Sequence, residues 1–539
     1  MSHSPLDLAN PDRIPEGTPA EVQVRDQARK PELDPTLGIA VDVKRGGSPK
    51  HRLVTLGDSL TQGFQSGAIF NTQLSWPRMV AWEMGWDSSF RYPSYWGQGG
   101  MPLNLELVIR TIERRLGPKL DNAWEKVLAV GEVLSLLQSI GSHWKQEWDH
   151  DIPSTRNHNL GVWGWDLRDT LSRTADTCAR EVKDHPFDYF KTANARSAYR
   201  VLHSARDGGK ALTPVGAAHA LSLDGGDDVG NGIETLVVML GANNALRSVV
   251  DLELTWSDDG YQDLQQKKRF TVWRPSHFKH EFELLVSELS RIRARHVILA
   301  TVPHVTVAPV CRGTSRNQGK IKPGSRYFEY YTRPWVEPAD FDPRDERCIT
   351  AGAARVVDSA IDQYNDTIAA VVREKRRAGH DWYLLELSGL LDRLASRRYI
   401  EDEQARPDWW QEVGGEYPLP AALAALEPKV TSYFFRSGPG GRTKGGLFSL
   451  DGVHPTTVGY GLIAQEVIQV MQRAGVVFRF GNGGERTGPV ELDFSRLLKL
   501  DTLLAAPPES LGNTLELFGA IDQGVDGLFE KIGLHARFP

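Results

Sequence analysis

The sequence predicts an α/β protein, a parallel sheet covered by helices on both faces. Three observations predict it. Short apolar runs recur along the chain, and each closes on Gly or a polar loop. Helix-period patterns sit between them, and strands that alternate with helices favour parallel pairing. Four of the runs end in "GDSL", "GVWG", "GANN" and "TVPH". In such sheets ligands bind at the carboxyl ends of the strands.

The elements follow in order. Residues 1–50 are rich in Pro and charge and read as an extended N-terminal arm. "HRLVTLG" (51–57) is the first predicted strand, and "NHNLGVWG" (157–164) is the second. "IETLVVMLG" (233–241) carries an unbroken apolar run, as a strand buried on both faces should. "SHFKHEFELLVSELSRIRAR" (276–295) has helical spacing, with Ser276 as the expected N-cap. "RHVILATVP" (295–303) is the fourth strand and "DWYLLEL" (381–387) the fifth. Between these two, residues 353–380 form a helix pattern that ends in basic residues and Gly379. "TTVGYGLIAQEVIQVMQRAG" (456–475) is the last core helix.

Three stretches interrupt this rhythm within a core domain spanning 51–479. They lie near 75–150, with two helix-like segments, near 305–350 and near 400–446. Insertions of this kind usually sit on the loop face and shape a substrate pocket. Residues 480–539 read as a C-terminal helical extension.

Composition narrows the function. The net charge of -6 and the lack of a long basic run argue against a nucleic-acid partner. Cys178, Cys311 and Cys348 are odd in number and far apart, which argues against a disulfide framework, and their spacing is not of metal type. The first residues carry no apolar leader, and no window approaches the roughly 18 apolar residues of a spanning helix. The expectation is a cytoplasmic protein without a transmembrane segment. Oligomeric state is not legible.

The chemistry starts at "LVTLGDSLTQGF" (53–64). A strand–helix turn favours Gly, Asp and Ser for conformational reasons alone, so Ser59 needs partners to count as a nucleophile. A serine hydroxyl becomes nucleophilic when a base removes its proton, and that base is most often a His held by a carboxylate. In "LDGVHPTTVGYG", Asp451 stands three residues before His454. In a loop leading into a helix that offset brings a carboxylate to the imidazole. An oxyanion hole needs donors. "VVMLGANNALR" offers the Asn243 amide after a Gly241 turn, and "NLGVWGWDLRDTL" offers the Gly164 backbone N–H. Singly, each stretch also reads as an ordinary turn.

Together, in this order, the four stretches resemble the GDSL, or SGNH, hydrolase family. The resemblance covers roughly 51–475. It implies a three-layer α/β/α, flavodoxin-like parallel sheet. It also implies a catalytic triad of Ser59, Asp451 and His454, and an oxyanion hole of Ser59, Gly164 and Asn243. No metal or cofactor is implied. Two features depart from the family pattern. Asn244 stands where Asp is usual, and the second block lies far from the first. "YWGQGGMPLN" (95–104) is a rival for that second block. Thr61 occupies the place of the second Gly of a Gly-x-Ser-x-Gly elbow, which argues against an α/β-hydrolase.

The implied activity is hydrolysis of carboxylic esters, with a small-molecule or lipid ester as substrate. Carbohydrate O-deacetylation or O-acetyl transfer is the alternative, and a non-catalytic binding protein is a third reading. Nine of the 15 Trp residues lie between 76 and 165. They suit either an aromatic substrate wall or packing of the insertion. "WEKVLAVGEVLSLLQSI" (124–140) reads either as a lid over an acyl pocket or as buried core.

Overall fold

The computed structural model describes residues 5–42, 48–117, 123–226, 231–316 and 322–509. Five strands build the central sheet: β1 (His51–Gly57), β2 (Asn159–Gly161), β3 (Ile233–Met239), β4 (Ala294–Ala300) and β5 (Trp382–Leu385). Their spatial order is β2-β1-β3-β4-β5, and every pairing is parallel. The chain leaves β1 toward β2 on one side and returns to β3 on the other. The order in which strands are added therefore reverses beside β1, the position where doubly wound sheets open a crevice.

Alternate residues of each strand feed two separate cores. Leu56, Val238, Leu299 and Leu384 face one side, in lateral register. Leu53, Val237, Ile298 and Tyr383 face the other. The first face is covered by the helices Pro214–Leu223, Pro275–Leu289 and Ala351–Arg377, through side chains such as Leu221, Phe282 and Ile361. The second is covered by Trp76–Glu83, Leu387–Ala395 and Thr457–Arg473, through Val80, Leu390 and Ile463. Each fully buried Leu, Ile or Phe contributes about 1.5–3 kcal/mol of apolar burial. The unbroken apolar sequence of β3 follows from this two-sided burial.

Several boundaries differ from the sequence expectation. The helix expected to be capped by Ser276 is capped two residues earlier, with Arg274 at the N-cap and Pro275 at the first position. Pro fits there because that N–H has no helical acceptor anyway. Ser276 Oγ instead donates to Glu21 Oε1 at 3.0 Å, so tertiary contact replaces the local cap. The 75–150 insertion holds three helices rather than two, Trp76–Glu83, Leu105–Leu116 and Ala123–Glu147.

The described part of the N-terminal arm is not extended throughout, since it holds the short helix Pro5–Ala9 and several turns, and it is pinned to the core. Leu384 N–H of the edge strand donates to Pro35 O at 2.9 Å, and Arg29 pairs with Glu386 at 2.9 Å. The described part of the C-terminal extension has helices Phe494–Leu500 and Thr502–Ala505. Its Leu492, Phe494 and Leu497 join the second core. Residues 510–539 of that expected extension lie outside the described residues. Among the described residues no helix is long and apolar enough to cross a membrane. The three cysteines are buried and form no disulfide.

Candidate active site

Ser59 opens a four-residue helix directly after β1. Asp58 caps it, its carboxylate accepting from Leu60 N–H at 3.0 Å. Gly63 closes it at φ 95°, a left-handed conformation that suits Gly. Gly57 is needed for contact. A Cβ there would stand 2.0 Å from Thr61 Oγ1 and 2.9 Å from Met239 O. The turn is therefore locked, and Ser59 is held almost fully buried at the end of the strand. Burial pushes the Asp58 carboxyl up to about 6.

Gln62, one turn further, was not singled out from the sequence. Its Nε2 donates to Tyr95 Oη at 2.7 Å, and its Oε1 accepts from Trp163 N–H at 2.7 Å. It ties the loop after β2 to the serine helix. Asn194 holds the same loop, its Oδ1 accepting from Trp165 Nε1 at 2.9 Å. Gly164 sits between these anchors at φ 73°. The rival stretch at 95–104 lines neither cavity at Ser59.

Asn243 lies in a 3-10 turn, Ala242–Asn244, after Gly241 at φ 120°. Its Nδ2 donates to Trp165 O at 2.9 Å. A primary amide has two hydrogens, so one is left to face the cavity. Neighbouring Asn244 is fully buried, and its amide N and O have no partner among the described residues.

His454 and Asp451 sit in the loop before the helix Thr457–Arg473. His454 Nδ1 lies 3.0 Å from Asp451 Oδ2. Asp451 also accepts from the backbone N–H groups of Val453, His454 and Gly67, at 2.8, 2.8 and 3.0 Å. Burial alone would raise this carboxyl. The His454 imidazole and the backbone donors outweigh burial and hold it below the usual carboxylate range. The arrangement fixes the ring and directs Nε2 away from the acid. Phe64, five residues after Ser59, packs its ring 4.5 Å from the imidazole.

Ser59, Asn243, Leu246 and His454 form a wall common to two cavities. No hydrogen bond joins Ser59 Oγ to His454; the two side chains meet only as parts of this wall. One cavity has an empty volume of about 820 Å³ including its mouth. Its walls include Val307, Leu390, Leu394, Phe448, Leu462 and Ile463, so it is almost wholly apolar. His304 forms part of it, clamped between Asp392 at 2.8 Å and Asp362 at 3.0 Å. Burial opposes charge on His304, but the two carboxylates raise it well above the ordinary imidazole value.

The second cavity, about 770 Å³ including its mouth, is of mixed character: Asp166, Arg247, Lys267 and Lys268 line it together with Gly164 and the rings of Trp163, Phe270 and Trp273. Lys267 Nζ pairs with Asp166 and Asp169 at 2.6 and 2.7 Å. Lys268 has no ion pair among the described residues, and burial lowers its pKa. Of the tryptophans between 76 and 165 whose side chains are described, only Trp163 lines either cavity. Trp76, Trp144 and Trp165 are buried in the cores. No described residue of the helix Ala123–Glu147 lines either cavity, and Val133, Ile140 and Trp144 bury one of its faces. The packing alternative, rather than the lid, describes that helix.

No family model, curated protein or solved structure matches the chain.

Proposed function

We propose that the protein is a serine ester hydrolase of the GDSL/SGNH type, acting on esters with an apolar acyl group and a polar alcohol. One observation carries the reading. Ser59, the donor Asn243 and the acid-backed His454 share one wall between an almost wholly apolar cavity and one that carries charged side chains. The sheet order β2-β1-β3-β4-β5 with helices on both faces agrees with the flavodoxin-like, three-layer architecture of that family.

In this reading the acyl chain enters the apolar cavity and the alcohol lies in the one with charged side chains. His454 Nε2 takes the hydroxyl proton as Ser59 Oγ attacks the carbonyl carbon. Asp451 holds the ring and stabilises the imidazolium. The Ser59 and Gly164 N–H groups, which have no acceptor among the described residues, join the Asn243 amide around the oxyanion. The ester C–O bond then breaks, and the alcohol leaves with the proton from His454. Water, deprotonated by the same imidazole, releases the acid and restores Ser59. None of these steps uses a metal or cofactor.

An acetyl group would leave most of the apolar cavity empty, which favours longer acyl esters over sugar acetates. Three buried, unbridged cysteines fit a reducing compartment, and the cytoplasm is the proposed location.

A fluorophosphonate probe on the wild type and on Ser59→Ala, followed by p-nitrophenyl esters of rising chain length, tests the reading. Labelling and turnover should vanish together in the variant, with longer acyl esters preferred by the wild type. A folded wild type that neither labels nor turns over would move the protein to the non-catalytic class.

A further inference from the structure

A third cleft lies on another part of the molecule, and none of its lining residues lines the two cavities at Ser59. Its empty volume is about 1000 Å³. The strand Arg312–Thr314, the segment 397–401 and the hairpin Arg436–Gly438/Gly441–Lys444 enclose it. Four cations face it, Arg312, Arg397, Arg436 and Lys444, against the single carboxylate Glu401.

Their local partners do not balance this charge. Arg312 and Arg436 share one carboxylate, Glu337, at 3.5 and 2.9 Å. Arg397 is buried and has no carboxylate within ion-pair distance among the described residues; its guanidinium donates to Cys311 O at 3.0 Å. Lys444 likewise has none, and its Nζ sits 3.5 Å from the centre of the Tyr433 ring. Burial lowers the Lys444 pKa first, and repulsion from Arg312 and Arg436 lowers it further. Burial and Arg312 also lower that of Arg397. Converging guanidinium groups with spare donors suit phosphate oxygens, which they bind in forked pairs.

We propose that this cleft is a binding site for a phosphate-bearing anion of two or more charges, separate from the ester site. Arg397 forms its floor, Arg312, Arg436 and Lys444 its rim, and Phe328 and Tyr433 its apolar sides. The cleft backs onto the Asp451–His454 loop. Val310 N–H donates to Gly452 O at 2.9 Å, and a Cβ on Gly452 would stand 2.8 Å from the Phe434 ring. The assignment does not depend on the ester-hydrolase reading.

Calorimetric titration of the full chain with pyrophosphate tests it. Saturable binding is expected with a Kd below about 1 mM, weakening as salt is raised. Lys444→Gln and Arg436→Gln alter rim residues and should each weaken binding about tenfold. Lys268→Gln, in the second cavity at Ser59, should leave it unchanged. Absence of binding to the wild type overturns the proposal. So does undiminished binding to the folded rim double variant, or loss of binding in Lys268→Gln. Flotation with phosphatidylglycerol vesicles identifies the source. Co-flotation abolished by the rim substitutions assigns the phosphate to a lipid headgroup, and pyrophosphate binding without flotation assigns it to a soluble compound.

Discussion

Asn243 shows how one side chain serves two tasks. One amide hydrogen bonds Trp165 O and fixes the loop after β2. The other is the proposed oxyanion donor. Asn243→Ala is expected to lower kcat by about 10²–10³ with little change in KM. Steady-state kinetics on one p-nitrophenyl ester reads this directly, and an unchanged kcat would leave only the backbone donors in the hole. Asp58 carries a different consequence. Its folded carboxyl is pushed up to about 6 by burial, above its unfolded value. Its contribution to stability is therefore fully present below the unfolded value and is lost as pH rises through about 6. Asp58→Asn keeps a side-chain oxygen for the cap and removes the ionisation. The variant should gain on the order of 3 kcal/mol over wild type at alkaline pH and nothing near pH ~4, by denaturant titration at both. A gain that does not vary with pH would show that the carboxyl ionises in its ordinary range.

At the scale of elements, the helices Leu387–Ala395 and Thr457–Arg473 do more than cover the sheet. Leu390, Leu394, Leu462 and Ile463 are both core residues and walls of the apolar cavity. In the proposed function, acyl length would therefore be set by packing between two helices. Leu391 lines the cavity but is only partly buried, so a larger residue there fills the cavity without overpacking the core. Leu391→Trp is expected to move the optimum toward short acyl chains and to cost long esters about tenfold in kcat/KM. A chain-length series measures it, and an equal loss on all lengths would place the acyl chain elsewhere. The helix Ala123–Glu147 was open to two readings because its sequence is apolar around much of its circumference. Trp144 decides the matter, since it is buried and its Nε1 donates to Gly100 O at 2.8 Å.

At the scale of the whole molecule, the parallel sheet and its five strands were legible from sequence, because two-sided burial demands unbroken apolar runs with turn residues at their ends. The strand order, with β2 and β3 on opposite sides of β1, was not, because pairing between distant segments leaves no local trace. Ser59, Gly164, Asn243, Asp451 and His454 were legible as short patterns around required turns. Gln62, Asn194 and Phe64 were not, because what marks them is a contact made across the fold. The same holds for the cleft of Arg312, Arg397, Arg436 and Lys444, whose cations come from three separate stretches of chain. By itself the sequence determined the periodicity of strands and helices, the turns that need Gly, and the Asp–His offset, since these depend on neighbouring residues and local geometry. The closed fold alone brings side chains into a common cavity, sets an apolar cavity and one with charged side chains on either side of the wall at Ser59, and turns four cations toward one carboxylate. Those are properties of distance in space, and residues hundreds of positions apart acquire them only when the core closes.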